Sequence, residues 1–142
     1  MKYLEIKGSM PVFDKLTLEF VLLKIRAFAS SYSWSIQLIE AVGYVESVIG
    51  MQIVDLEEYC NKSTKGYITD FETIIALARA CDDIVDVLIV GCQKEDNIPK
   101  AFRDSNWENQ CDVIISREDS SLWQLYSNDK RISNEFYSLI ND

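Results

Sequence analysis

The stretch "IVDVLIVGC" sets Ile84, Val85, Val87, Leu88, Ile89 and Val90 side by side with only Asp86 polar among them. A strand that faces water on one side alternates polar with apolar residues, so this near-continuous run reads as a central strand covered on both faces, near 84–91. Period-two alternation marks other strands. Residues 2–7 set Leu4 and Ile6 against Tyr3 and Glu5, and "YSWSIQLIE" sets Trp34, Ile36 and Leu38 against Ser33, Ser35 and Gln37, predicting strands near 2–7 and 33–39. "MQIVDL" opposes Met51 and Ile53 to Val54 and Leu56 and predicts a strand at 51–56, reached by a meander through "YVESVI" between Gly43 and Gly50. "EEYCNKSTKGY" then reads as an exposed polar loop. The stretch "CDVIISREDSSLWQLYSND" predicts a hairpin of strands 111–117 and 121–127. Its turn, Arg117 to Ser120, holds no Asn-Gly or Asp-Gly pair, which predicts a turn of about four residues.

Helical periods fall between these strands. Asp14 is placed to cap a helix over 14–28, with Leu16, Phe20, Leu23 and Ala27 at helical spacing and Leu18, Leu22 and Ile25 widening the apolar face. Thr69 and Glu72 have capping-box spacing and open a helix over 70–81, with Phe71, Ile74, Ile75 and Ala78 on one face and Asp82 and Asp83 at its end. Asp129 caps a helix over 129–140 whose Ile132, Phe136, Leu139 and Ile140 line one side. Burying those four contributes on the order of 6–10 kcal/mol before conformational entropy is charged. The connection from Gln93 to Gln110 is polar, carries Pro99, and has room for one helical turn around Ala101 to Arg103. With 142 residues and no linker-like tract, the expectation is one α/β (α+β) domain: a mostly antiparallel or mixed sheet of about six strands against about three helices.

Charge changes the picture more than composition does. Fourteen Lys and Arg against 23 Asp and Glu leave a net −9, with no His. A nucleic-acid or anionic-membrane partner needs clustered cations, and here the acids cluster, as at Asp82, Asp83 and Asp86. Without His there is no Ser-His or Cys-His nucleophile pair and no imidazole ligand. The isolated glycines draw neither a Walker loop nor a dinucleotide fingerprint. A carboxylate pair such as Asp55 with Asp86 has the chemistry of a glycosidase centre, but so many acids make a chance pair unremarkable and solvated acids the simpler reading. Cys60, Cys81, Cys92 and Cys111 form no Cys-x-x-Cys motif, which predicts free thiols and no metal. Glu5 and Lys7 stand where a secretory signal is apolar, and "FVLLKI" is too short to span a bilayer, so the expected location is the cytoplasm. No cofactor is expected.

What remains is a surface. Acids and aromatics in or beside polar segments suggest a partner-binding face drawn from Glu57, Glu58, Tyr59, Asp104, Trp107, Glu108, Glu118, Asp119 and Trp123, with carboxylates to steer a basic protein and Tyr or Trp to anchor it. The order "SYSWSIQLIE", "MQIVDLEEY", a capped helix, then "CDVIISREDSSLWQLYSNDKRISNEFYSLI" resembles small bacterial α/β proteins. More loosely, it is similar to the immunity proteins that neutralise secreted toxins. That resemblance implies a short, acidic, cytoplasmic, non-enzymatic protein that binds a cognate toxin, such as a nuclease domain, and occludes its active site. Two other readings stay open: a small enzyme or ligand-binding domain with a pocket between helices and sheet, and an assembly subunit that pairs through a sheet edge.

Overall fold

The computed structural model describes residues 2–100 and 106–141. The architecture is α+β, built on six strands: β1 (Leu4–Lys7), β2 (Ser33–Gly43), β3 (Tyr67–Thr69), β4 (Cys81–Cys92), β5 (Val113–Glu118) and β6 (Leu122–Ser127). They form one sheet in the order β1-β6-β5-β4-β2-β3, every neighbouring pair antiparallel. Among the described residues five α-helices accompany it: α1 (Leu18–Ala29), α2 (Glu46–Ile49), α3 (Ile53–Lys62), α4 (Phe71–Ala80) and α5 (Lys130–Asn141). Side chains from α1, α3, α4 and α5 join Ile6, Trp34, Ile36, Ile39, Val87, Ile89, Ile115 and Leu125 in one large core against one face of the sheet.

The opposite face carries a smaller cluster. Leu88, Val90, Cys92 and Ile114 are covered there by Ile98, Cys111 and the half-buried Trp107 from the connection after β4, flanked by Tyr3, Leu38 and Tyr126. So β4 is central and covered on both sides, as its unbroken apolar run requires. The turn expected around Ala101 to Arg103 falls outside the described residues.

Several elements differ from expectation, each for a local reason. From Ile53 onward, the strand expected at 51–56 is the start of α3. Leu56 and Cys60, four residues apart, are buried while Val54 faces water, so the helical period wins over a short accidental alternation. The expected loop after it is helix as far as Lys62, and the meander expected through "YVESVI" contains the short helix α2. The sixth strand is the three-residue β3.

The first helix begins later than predicted. Phe13–Lys15 form a turn of 3-10 helix, and Thr17 rather than Asp14 caps α1, its side chain accepting from the Phe20 amide at 3.1 Å. Its buried face is Leu18, Val21, Leu22, Ile25 and Ala29, whereas Phe20, Leu23 and Ala27 point outward.

At α4 the cap is Asp70, one residue beyond Thr69. Its Oδ1 accepts from the Thr73 amide at 2.8 Å, and Glu72 pairs with Arg26 of α1 instead of reaching back. Asp82 and Asp83 belong to β4. The hydrogen bonds from Thr73 hold the Asp70 carboxyl below the usual carboxylate range. Its stabilisation is therefore present above that range and lost as pH falls through the lowered value. Asp70→Ala is expected to cost about 1 kcal/mol in urea unfolding at neutral pH, with the gap to wild type closing on acidification. Equal stabilities at neutral pH would show that the cap contributes nothing. Asp129 caps α5 as expected, accepting from the Arg131 amide at 2.9 Å, and Ile132, Phe136 and Leu139 are buried beneath it.

Candidate functional site

Strand β2 changes phase in mid-course, and the site depends on it. Trp34 and Ile36 face the large core as expected, but the register slips between Ile36 and Leu38, so Ile39 and Ala41 continue inward and Leu38 lies on the other face. Gln37, at the slip, is buried and donates from Nε2 to the Pro99 carbonyl at 3.0 Å, fastening the connection after β4 to the sheet. Beyond Leu38 the same face of β2 presents Glu40 and then Val42, which is exposed.

Glu40 stands directly opposite Asp86 of β4, a pair of carboxylates at facing cross-strand positions. Glu57, on α3, accepts the Ala41 amide at 3.1 Å, which brings a third carboxylate beside them. The β5–β6 turn brings a fourth, since the Asp119 amide donates to Asp86 Oδ1 at 2.7 Å. The hydrogen bond with Asp86, then desolvation and the charges of Asp86, Glu57 and Asp119, hold the Glu40 carboxyl above the usual range. Ion pairs among the described residues join Arg26 to Glu72, Lys62 to Glu58, Arg79 to Glu19 and Arg131 to Asp129; none includes Glu40, Glu57, Asp86, Glu118 or Asp119.

The turn that delivers Asp119 is tighter than the four residues expected. Asp119 (φ 48°) and Ser120 (φ 55°) are both left-handed, and the Ser121 amide donates to the Glu118 carbonyl at 2.9 Å. Left-handed backbone suits Gly or Asn, and here it is held from outside: the Asp119 amide on Asp86, and the Ser120 amide on the Val85 carbonyl at 2.9 Å. Those bonds come from β4, a strand that is not part of the hairpin.

The structure divides the residues expected at a binding face. Glu57 and Asp119 meet around Glu40 and Asp86, with Glu118 ending β5 beside them. Glu58 pairs with Lys62 at 2.6 Å, which holds its carboxyl below the usual range, and Tyr59 stacks edge-on with Tyr67, ring centroids 5.6 Å apart. Trp107 and Glu108 belong to the connection after β4, where Glu108 accepts from the Tyr3 hydroxyl and Trp107 packs against the small cluster. Burial, followed by that bond to Glu108, raises the Tyr3 phenol. Trp123 is fully buried against the large core and is no surface anchor: its place on β6 puts it on the helix-covered side of the sheet. Asp104 lies outside the described residues. Asp55 sits exposed in the first turn of α3, not on a strand, and the carboxylate that faces Asp86 is Glu40.

Three residues outside the expected set complete the surface. Val42 and Tyr44 follow Glu40 along the chain, 61% and 93% exposed, and Val54 at the start of α3 is exposed as well. Tyr44 and Val54, with Val45, Glu46, Gln52 and Ile53, line a half-open hollow of about 640 Å³. An aromatic as bare as Tyr44 beside an acidic group is the pattern of an anchor with a charged rim.

The four cysteines are free thiols; burial lifts Cys60 and Cys81 to about 11, so neither is a nucleophile at neutral pH. Among the described residues no group of three or more His, Cys, Asp or Glu is arranged to hold a metal ion, and no helix is long and apolar enough to cross a membrane. Comparison with known proteins returns no matching family model, no matching curated protein and no matching solved structure.

Proposed function

We propose that the chain is a non-enzymatic binding protein that covers a basic protein surface with the acidic end of its sheet, and that an immunity protein occluding a toxin's active site, such as that of a nuclease, is the role that fits best. The facing pair Glu40 and Asp86 carries this reading. Like charges directly opposite on neighbouring strands destabilise a sheet, and two more carboxylates close to this pair add to the repulsion. A surface that sets charge against its own stability is accounted for when a cationic partner relieves it. The net −9 extends the same field over the whole molecule and speeds encounter with a basic protein.

The pair gives a test that needs no partner. Because the Glu40 carboxyl is held above the usual range, the stability it contributes is present at low pH, where its proton bridges to Asp86. That stability is lost as pH rises through the raised value. Glu40→Gln supplies an amide donor at every pH. The variant is expected to unfold at a higher temperature than wild type near neutral pH, with the gain vanishing on acidification. A variant less stable than wild type at neutral pH would mean that the two carboxylates are not opposed.

Function is tested on a protein captured from the native host with the immobilised chain. Its association should be fast at low salt and slowed by Glu40→Gln and by charge reversal at Glu118 and Asp119, whereas Tyr44→Ala should mainly speed dissociation, by about 2 kcal/mol if Tyr44 is the anchor. Rates indifferent to ionic strength and to these substitutions would leave the acidic face with no role beyond solubility.

A further inference from the structure

A second site lies on the other side of the sheet, among the helices. A cavity of about 310 Å³ opens between the start of α1, the end of α4 and strands β4 to β6, with Thr17, Arg79, Asp82, Asp83, Arg117 and Trp123 on its walls. This volume is at the lower end of small-molecule sites, roughly 300–1,000 Å³, and suits a compact ligand.

Its inner wall carries two buried donors without acceptors. Trp123 is completely buried, and its indole Nε1 has no hydrogen-bond partner; Arg117 Nε is likewise buried and unpartnered. Buried polar groups are rarely left this way, least of all two on one cavity. The Arg117 guanidinium is nevertheless held in place. Its Nη1 donates to the Ile84 carbonyl at 2.8 Å, and its carbon lies 5.6 Å from the Phe13 ring centre and 5.3 Å from that of Trp123. With Nη1 engaged, the side-on edge formed by Nε and Nη2 makes no hydrogen bond and no ion pair among the described residues. Two parallel N–H groups of this kind match the two oxygens of a carboxylate.

The outer wall carries the opposite sign. Asp82 is exposed at the start of β4 and forms no ion pair among the described residues, while Arg79 is already taken by Glu19. Asp83 is paired with Val42 and faces the other side of the sheet. Arg117 and Asp82 line the same space without pairing across it.

We propose that this cavity binds a free α-amino acid, its carboxylate on the Nε–Nη2 edge of Arg117 and the indole N–H of Trp123, its ammonium toward Asp82. The start of α1, a twelve-residue helix whose Thr17 cap lines the cavity, adds the positive end of a helix dipole to its wall, beside the Glu19 carboxylate that pairs with Arg79. Such a site is independent of the acidic face described above and would make this chain a sensor of, or a scaffold stabilised by, a small zwitterion.

The Trp123 indole proton reports on occupancy directly. The intact chain is titrated with each proteinogenic amino acid in turn at millimolar concentration, following that resonance by NMR, with acetate and methylammonium as the two half-ligands. At least one amino acid is expected to shift the resonance saturably and to raise the melting temperature, while neither half-ligand matches it. Arg117→Lys, which keeps the charge but loses the fork, and Asp82→Asn are each expected to weaken binding roughly tenfold or more. Circular dichroism shows whether each variant is folded, and Asp82→Asn, at an exposed position, keeps the test open should the Arg117 variant fail to fold. An unmoved resonance with every amino acid overturns the proposal. So does acetate binding as tightly as any amino acid, which would make this a plain anion site, and so does unchanged affinity in a folded Asp82→Asn.

Discussion

Trp34→Ala is expected to cost about 3–5 kcal/mol. Trp34 is fully buried on β2, its indole N–H donates to the Ala29 carbonyl at 3.1 Å, and its ring meets Phe71 edge-on with centroids 5.5 Å apart. It therefore joins the end of α1 and the start of α4 to the sheet. The position opposite it on β4 is Gly91, and a Cβ built there would come within 2.9 Å of the indole. The ring fills the space that a side chain at Gly91 would otherwise occupy, so truncation leaves a cavity that the backbone cannot collapse into without bending two central strands. For a domain of this size the loss corresponds to a fall in melting temperature of roughly 10–20 °C. Trp34→Phe keeps part of the ring contact but drops the bond to Ala29, and should fall between the two. If calorimetry put Trp34→Ala within about 1 kcal/mol of wild type, this corner of the core would be far more adaptable than its packing suggests.

Gly66→Ala is the second large effect, expected at about 2–4 kcal/mol although only one methyl is added. Gly66 has φ 72°, a left-handed backbone that disfavours a Cβ, and the added atom would lie 2.4 Å from the Ile36 carbonyl oxygen and 3.0 Å from the Gln37 Cα. Both neighbours are backbone and cannot swing aside. The segment between α3 and β3 is pinned to the same part of β2 by the Ser35 hydroxyl on the Lys65 carbonyl, and the end of α3 before it by the Cys60 thiol on the Ile36 carbonyl at 3.2 Å. The predicted damage is thus local: β3 loses its seat on β2 while the β4–β5–β6 side persists. Hydrogen exchange should show amide protection lost first at Tyr67 to Thr69. Uniform loss across the sheet would mean instead that β3 and the central strands unfold as one unit.

The parts of the fold legible in the sequence are those in which one physical signal dominates. The apolar run of β4, the hairpin strands, and α5 with its Asp129 cap each carry a pattern no competing element matches. The stretch Met51 to Leu56 is different, because six residues of alternation also satisfy half a helical face. Its decisive evidence is Cys60, four residues beyond Leu56, inside a segment whose polarity suggests a loop. At α1 the segment is apolar on nearly every side, so the period alone cannot say that Val21 and Ala29 are inside and Phe20 and Leu23 outside. The geometry of neighbouring helices settles that.

The candidate site was half legible for a related reason. Glu57, Glu118 and Asp119 stand out as acids outside strand interiors, but what gathers them is the pair Glu40 and Asp86, whose meeting depends on the strand order and on the register slip at Gln37. The left-handed turn at Asp119 and Ser120 is likewise imposed by β4, through bonds that no local residue pattern announces. Trp123 illustrates the reverse. Its residue type suggested a surface anchor, and its strand parity sent it inside.

The pairing of β1 with β6 has a consequence for synthesis. Leu4 faces Leu125, so once β1 has been made it has no partner until 121 further residues have followed. At roughly 5–20 residues per second that wait is about 6–24 s. Throughout it, Leu4 to Lys7 present unpaired amides and carbonyls, and the side chain of Ile6 has no core to enter. Docking of β1 therefore waits for the β5–β6 hairpin, and α5, which follows it, then adds Ile132, Phe136 and Leu139 to the core that Ile6 enters. A nascent chain halted at Glu118 would hold β2 to β5 with nothing for β1 to join, and would be exposed to chaperones and to proteolysis.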